Sequence, residues 1–141
     1  MKSRGFTLIE LIIILVIIGI LAVSASPIFI SDSGTKSQAA RIQAMSILRA
    51  VQQQAMHDTV RDYSVLVTES SLGNPPYNED NNLQLSNLDG ITFSPTDITV
   101  GFNALGQPTL DCKDGCSITI TESSGVSRTI SINKEGFIDV Q

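Results

Sequence analysis

An apolar run over positions 6–25 contains a single acid, Glu10, and follows a short basic leader, residues 1–5, Met-Lys-Ser-Arg-Gly. About 20 apolar residues with a rise of 1.5 Å each can cross the hydrocarbon core of a bilayer, so the run predicts a transmembrane helix. A carboxylate in such a helix costs about 2.5 to 3.5 kcal/mol on insertion scales and is retained where it has a partner or a function. The charge of Glu10 therefore needs a partner.

The leader offers that partner. Cleavage between Gly5 and Phe6 would free an α-amine four residues before Glu10, about one helical turn away. The amine could pair loosely with Glu10 within one helix. Between two copies, the amine of one subunit could meet Glu10 of its neighbour, and burial in an assembly would then neutralise both charges.

The stretch Gly5-Phe6-Thr7-Leu8-Ile9-Glu10 resembles the processing motif of type IV prepilins and type II secretion pseudopilins. The resemblance implies that a membrane-embedded prepilin peptidase cuts the chain after Gly5 and then methylates the new amine of Phe6. It also implies that the subunit waits in the inner membrane as a single-pass protein with its globular domain in the periplasm. An assembly platform would then move it into a helical filament, where Glu10 guides the register of packed helices.

Two residues of the predicted helix are expected to distort it. The resemblance places Pro27 at the helix-distorting proline of the family, and Gly19 near the stretch that loosens when subunits enter the filament. Proline lacks a backbone donor and clashes with the preceding turn, whereas glycine weakens a helix and permits close backbone approach.

Two other interpretations of the N-terminus fit its sequence less well. A secretory signal peptide would use Lys2 and Arg4 as its basic region and the small residues at 22–26 as its cleavage site. Glu10 inside the apolar region disfavours that role, and a cut after Ser26 would leave Pro27 as the first mature residue. A plain single-span anchor explains the apolar run but not the order of residues 5–10.

The remaining chain predicts one α+β domain of the type IV pilin fold, in which a long N-terminal helix packs on a small, mostly antiparallel β domain. Residues 6–30 form the transmembrane half of this helix and residues 31–62 an amphipathic half, with residues 63–141 as the β domain. The apolar stripe expected to face the sheet is Ile42, Met45, Leu48, Val51 and Ala55, and the polar side carries Lys36, Arg41, Gln43, Arg49, Gln52 and Gln53. Residues 31–34, Ser-Asp-Ser-Gly, indicate a break or a cap between the halves, although a continuous bent helix would also fit.

Alternating residues predict strands, and turn residues separate them. The expected strands are residues 90–94, 98–102, 117–121 and 129–132, with a short last strand at 136–140. Residues 63–67 alternate loosely between apolar and polar side chains. Residues 70–87 are expected to be a surface loop. No internal repeat is evident. The region from Phe93 to Gln141 resembles, more weakly than the leader, the β domain of the H-type pseudopilin and of minor pilins.

Cys112 and Cys116 flank the sequence Lys-Asp-Gly. In a domain delivered outside the cytoplasm they are expected to oxidise to a disulfide that fixes one turn. A redox centre would favour a Cys-x-x-Cys spacing, and zinc would need further ligands. A reduced pair stays open as an alternative.

The charge of the β domain argues against nucleic acid as a partner. Residues 63–141 contain ten acidic and three basic residues, within a chain of net charge −5. Such a domain repels phosphate backbones, and there is no basic strip with aromatic residues. Lys2 and Arg4 fit membrane orientation instead, because positive residues stay on the cytoplasmic side.

No metal, cofactor or catalytic site is predicted. The acidic groups at residues 78–82 and at Asp111 with Asp114 are the places where calcium could bind, but solvated loop residues are the simpler interpretation, and neither group has the spacing of an EF-hand. His57 is the single histidine and lies on the amphipathic helix. The chain contains no nucleophile elbow or phosphate-binding loop, so an enzyme is not expected.

The predicted function is a minor type IV pilin, a subunit that assembles into a pilus or primes it, and the mannose-sensitive haemagglutinin pilus is the nearest system suggested by the resemblance. The alternative is the H-type minor pseudopilin of a type II secretion system. Glu10 argues against the extreme tip subunit, which typically lacks this acid and has a larger domain. An adhesin that uses the loop at residues 70–87 is the third class considered.

Overall fold

The computed structural model of the protein describes residues 6–25, 34–58, 60–74, 83–86 and 88–141. Within these residues the chain forms two helices, α1 (Leu8–Ala25) and α2 (Thr35–His57). The strands described are β1 (Ser64–Val67), β2 (Ser71–Gly73), β3 (Gln84–Ser86), β4 (Ile91–Ser94), β5 (Ile98–Phe102), β6 (Pro108–Leu110), β7 (Cys116–Glu122), β8 (Ser127–Ile132) and β9 (Ile138–Val140). The chain divides into two compact units, residues 1–32 and residues 33–141.

The first unit contains α1, an apolar helix of 18 residues that is continuous through Gly19. All its side chains as far as Ala22 are exposed in the isolated chain. Of the helices that the structure describes, none combines the length and the apolar character that crossing a membrane requires. The transmembrane segment expected over residues 6–30 stays a prediction, since residues 26–30 lie outside the described residues.

The second unit is built on α2, whose alanine, glutamine, leucine and arginine residues favour a helix. Its buried face is wider than the predicted stripe and consists of Ser37, Ala40, Ala44, Ile47, Leu48, Val51 and Ala55. Leu48, Val51 and Ala55 were predicted correctly, and Met45 is partly buried against the core. The assignment of Ile42 to this face was wrong, because its side chain is 58% exposed. The small residues Ala40 and Ala44 take its place, and they let the strands approach the helix closely.

Two antiparallel sheets pack against α2. One has the strand order β3-β2-β1-β5-β6 and the other the order β4-β7-β8-β9. The helix contacts strands of both sheets, so the core lies where the three layers meet. Phe93, Leu72, Ile118 and Ile130 are among the largest side chains that this core buries completely. The α+β fold expected from the sequence is confirmed.

Three short strands and one helix end differ from the sequence-based expectation. β2 and β3 lie in the segment predicted to be a loop, and β6 was not predicted at all. Each is three residues long and is held by pairing with a neighbouring strand rather than by its own propensity. α2 ends at His57 instead of near Asp62, because the Asp58 side chain accepts the Val60 N–H and competes with helical hydrogen bonding.

Candidate functional site

The two residues to which the sequence assigned a role near the cleavage point, Phe6 and Glu10, lie at the start of α1. Phe6 precedes the helix, and its side chain is 75% exposed. Thr7 is the residue before Leu8, and its Oγ1 accepts the backbone N–H of Glu10 at 3.3 Å. This is the forward half of a Thr-x-x-Glu capping box. Sequence reasoning missed the cap, although the Thr-x-x-Glu spacing is present.

The position of Glu10 gives its charge a second physical role. The N-terminus of a helix carries partial positive charge from unpaired backbone N–H groups, so an acid in the first turn stabilises the helix by about 0.3 to 1 kcal/mol. Glu10 can therefore favour its own helix start as well as pair with an amine. Gly5 and Pro27 lie outside the described residues, so the cleavage point and the proline distortion stay predictions.

The surface of α1 is almost entirely apolar. Its exposed large apolar side chains are Leu8, Ile9, Leu11, Ile12, Ile13, Ile14, Leu15, Val16, Ile17, Ile18, Ile20 and Leu21. An apolar surface of this extent marks a site of membrane or protein contact. Gly19 interrupts the run, and a methyl group placed there would have no atom within 4 Å. The face at Gly19 is therefore open to close approach by another helix.

The start of α2 is capped by an acid at the end of β7, Glu122. Gly34 is the N-cap residue, with a left-handed φ of 91°, and contributes no side-chain cap. Instead, Oε2 of Glu122 accepts the N–H of Gly34 at 3.0 Å and the N–H of Ser37 at 3.3 Å. Glu122 is buried. The helix N-terminus thus supplies the hydrogen bonds that a buried carboxylate needs.

Two matching turns meet beside α2. The turn after β5 has the sequence Asn-Ala-Leu-Gly from Asn103, and the turn after β8 has the sequence Asn-Lys-Glu-Gly from Asn133. In each turn the asparagine Oδ1 accepts the N–H groups two and four residues later. The glycines Gly106 and Gly136 have left-handed φ values of 78° and 89°. These turns have the same construction, although no internal repeat is evident in the sequence.

Gln52 of α2 joins the two turns. Its Nε2 donates to Gly106 O and to Gly136 O, both at 2.7 Å, so each of its two amide hydrogens has a partner. The turns approach so closely that a methyl group on Gly136 would collide with Gly106 O. The sequence had placed Gln52 on the solvent side of the helix, and that placement was wrong.

Cys112 and Cys116 form the predicted disulfide, with a Cα separation of 5.1 Å. The turn that it closes also contains the Gly115 N–H, which donates to Cys112 O at 2.8 Å. Cys112 is completely buried. A methyl group on Gly115 would lie 2.9 Å from Ile132 O, so the turn presses against the end of β8.

The polar residues considered for metal binding or catalysis do not come together in the described part of the chain. Asp111 accepts the Thr99 N–H at 2.7 Å and so has a local structural role. Among the residues that the structure describes, no three histidine, cysteine or acidic residues lie together in a way that could hold a metal ion. Residues 78–82, the other calcium candidate, fall outside them. His57 is exposed at the last position of α2.

A hydrogen-bonded pair fixes the chain where it leaves α2. Asp58 accepts the Val60 N–H at 3.0 Å and the Tyr63 hydroxyl at 2.9 Å, and Arg61 Nε lies 3.4 Å from its carboxylate. The bond from Val60 and then that from Tyr63 lower the pKa of Asp58. The same bond to Asp58 raises the pKa of Tyr63. This pair links the end of α2 to the residue before β1.

Comparison with known proteins bears on both units. The prokaryotic N-terminal methylation motif matches residues 1–26. The fold is similar to that of the type IV minor pilin FimU of Pseudomonas aeruginosa strain PAO1, in two crystal forms. For these the TM-scores are 0.55 and 0.54, the identities 17% and 18%, and the matches cover 74% of this chain and 87% or 91% of FimU. No curated protein sequence matches significantly.

The methylation motif and the FimU-like fold both support the resemblance to type IV prepilins and pseudopilins that the sequence indicates. The family consists of membrane-anchored structural subunits rather than enzymes, and its members associate with other pilin subunits after processing by prepilin peptidase. At 17% identity the likeness to FimU concerns the fold alone.

Proposed function

We propose that this chain is a minor type IV pilin, a structural subunit that is cleaved between Gly5 and Phe6, methylated at Phe6, and assembled into a pilus filament or used to prime one. The observation that carries the proposal is the methylation motif over residues 1–26, which includes a helix with an exposed apolar surface. The apolar side chains of such a helix need to be shielded from water, and packing in a bundle of identical or similar helices shields them.

Before assembly, the lipid of the inner membrane would shield these apolar side chains from water. Residues 6–30 hold the chain there, Lys2 and Arg4 face the cytoplasm, and the domain after α1 lies in the periplasm. An inner-membrane assembly platform then extracts the subunit. This sequence of environments explains why one helix carries so many exposed apolar side chains and a single acid.

In the filament, Glu10 pairs with the methylated amine of Phe6 on a neighbouring subunit. Both groups lie at the start of α1, about one helical turn apart along the chain, so subunits displaced along the filament axis can bring them together. An unpaired carboxylate within a bundle of apolar helices is strongly disfavoured, and this penalty selects the register in which the pair forms. Gly19 and Pro27 are the positions at which the helix adapts to the bundle.

The test of this assignment separates the charge of Glu10 from its effect on the helix start. Glu10→Gln and Glu10→Ala should leave membrane insertion intact and reduce incorporation into filaments, measured by immunoblotting of sheared filaments against the membrane fraction. Thr7→Val removes the cap without changing the charge and is the matched control. Normal incorporation of both Glu10 variants would refute the pairing role.

The processing step has its own test. Gly5→Val should block cleavage, and mass spectrometry of the wild-type chain should find Phe6 as a methylated N-terminus. A product of mature size from the Gly5→Val chain would refute the cleavage assignment.

The alternative is an H-type minor pseudopilin of a type II secretion system, because the region from Phe93 to Gln141 resembles the β domain of that pseudopilin as well as that of minor pilins. The leader and α1 are common to both classes and cannot separate them. Deletion of the chain in its host, with surface pili and secreted proteins scored side by side, does so. Loss of pili alone supports the pilin, and loss of secretion alone supports the pseudopilin.

A further inference from the structure

A depression of about 550 Å³ lies on the outer face of the second sheet, beside the disulfide turn. Its lining includes Ser117 of β7, Ser131 of β8, Asp139 of β9 and the ring of Phe137. Gly115 belongs to the wall, where the disulfide turn packs against the end of β8. The volume is in the range of small-molecule sites.

The outer face that leads to this depression consists of hydroxyl side chains. Every outward position of β4, β7 and β8 is serine or threonine: Thr92, Ser94, Ser117, Thr119, Thr121, Ser127, Thr129 and Ser131. Away from the depression four of these hydroxyls bond in pairs, Thr121 with Ser127 at 3.0 Å and Thr119 with Thr129 at 3.5 Å.

The row of outward side chains beside the depression has a different arrangement. Ser117 pairs in register with Ser131, and Ser131 with Asp139, which places three polar side chains side by side across three strands. Within the described part of the chain, the hydroxyls of Ser117 and Ser131 form no hydrogen bond. These two groups are therefore free to bind a ligand that both donates and accepts hydrogen bonds.

Phe137 supplies an aromatic surface at the edge of this row. Its side chain is 64% exposed, and the backbone that carries it is fixed by two hydrogen bonds with Asn133, at 3.1 and 2.8 Å. The equivalent position in the matching turn is Gln107, which bonds to Asn103. Only the turn beside the depression therefore presents an aromatic ring, although the two turns have the same construction.

The charge around the depression restricts the ligand. Asp114 and Asp139 line it, and the one lysine there, Lys134, lies 3.8 Å from the carboxylate of Glu135. An anionic ligand would be repelled. An aromatic ring, a carboxylate and free hydroxyls on a rigid support match a pyranose, which has an apolar C–H face and adjacent hydroxyl groups. We propose that this depression binds a neutral hexopyranose unit of a glycan, with Phe137 against the sugar ring and Asp139, Ser117 and Ser131 bonded to its hydroxyls.

The test applies the full chain, in a detergent without a sugar headgroup, to a printed glycan array that carries neutral, sialylated and sulfated oligosaccharides. Signals are expected on neutral glycans alone. For the strongest of these, titration should give about tenfold weaker binding for Phe137→Ala, since an aromatic contact and the apolar area that it buries are lost. Asp139→Asn should weaken binding as well, and Phe137→Tyr should retain it.

Gln107→Ala is the matched control, because it changes the equivalent position of the other turn and should leave binding unchanged. Circular dichroism of each variant establishes that the fold is intact. Absence of signal on every neutral glycan would overturn the proposal, as would binding that Phe137→Ala does not change or that prefers anionic glycans. Loss of filament incorporation by Phe137→Ala, without any glycan signal, would identify the depression as a subunit contact instead.

Discussion

Replacement of Gln52 by alanine tests how the two sheets are held on α2. In the native chain the Gln52 amide donates to Gly106 O and Gly136 O at 2.7 Å, and both glycines are buried. One turn belongs to each sheet, so this single side chain ties both sheets to the helix. Gln52→Ala removes both bonds and leaves two carbonyl groups without their donor.

The expected loss follows from the number of bonds. A neutral hydrogen bond contributes about 1 kcal/mol to the free energy of unfolding, and a buried carbonyl without a donor adds to the cost. Gln52 is half-buried, so water can replace part of what is lost. We expect Gln52→Ala to lower the free energy of unfolding by about 2 kcal/mol.

Gln52→Glu gives a sharper test because its effect depends on pH. An ionised carboxylate would face two carbonyl oxygens, which raises the pKa of the introduced acid in the folded state. A group with a raised pKa contributes stability at low pH that is lost as the pH rises through the folded-state pKa. Gln52→Glu should therefore be less stable than Gln52→Ala at neutral pH and should recover in acid, where the protonated acid can donate one bond.

The assay is urea unfolding of the full chain in mild detergent, followed by circular dichroism at several pH values. Gln53→Ala, an exposed neighbour on the same helix, is the control and should change stability by less than about 0.5 kcal/mol. The bridge would be refuted if Gln52→Ala behaved like Gln53→Ala, or if the pH profile of Gln52→Glu ran parallel to that of the native chain.

Three further changes test other contacts of the domain. Glu122→Ala removes the cap of α2 and should lower the free energy of unfolding in urea by about 1 to 2 kcal/mol, whereas Glu122→Gln keeps an acceptor and should lower it less. Equal losses of stability in the two variants would contradict this role of the Glu122 side chain. Gly136→Ala should destabilise the domain more than Gly125→Ala, since both glycines have φ near 89° but only the first would collide with Gly106 O; similar melting temperatures for the two variants would argue against the close approach of the turns. The pKa of Asp58 is lowered in the folded chain, so the stability that Asp58 contributes is present above the ordinary aspartate pKa and is lost as the pH falls through the lowered value. Tyr63→Phe should make the decline of stability in acid shallower, and an unchanged pH profile would refute the Asp58–Tyr63 pair as a source of that decline.

Much of the fold could be predicted because the signals are local. The apolar run at α1, the helical period of α2 and the longer alternating strands depend on neighbouring residues, and each prediction found its element. β2, β3 and β6 could not be found in this way, because strands of three residues show too little alternation and are stabilised mainly by pairing with neighbouring strands of the sheet. The exposure of Ile42 was missed because the buried face of α2 depends on how two sheets pack on it.

The sequence by itself indicated the resemblance to prepilins and pseudopilins. The motif at residues 5–10 contains the proposed cleavage site, the amine that the cut would free and an acid at fixed spacing, and such covalent and helical spacings need no tertiary context. Only the tertiary structure decided the roles of Gln52 and Glu122, and it alone revealed the depression beside Phe137. Their partners lie about 50 to 90 residues away in the chain, and hydrogen bonds over such separations depend on how the sheets and α2 pack.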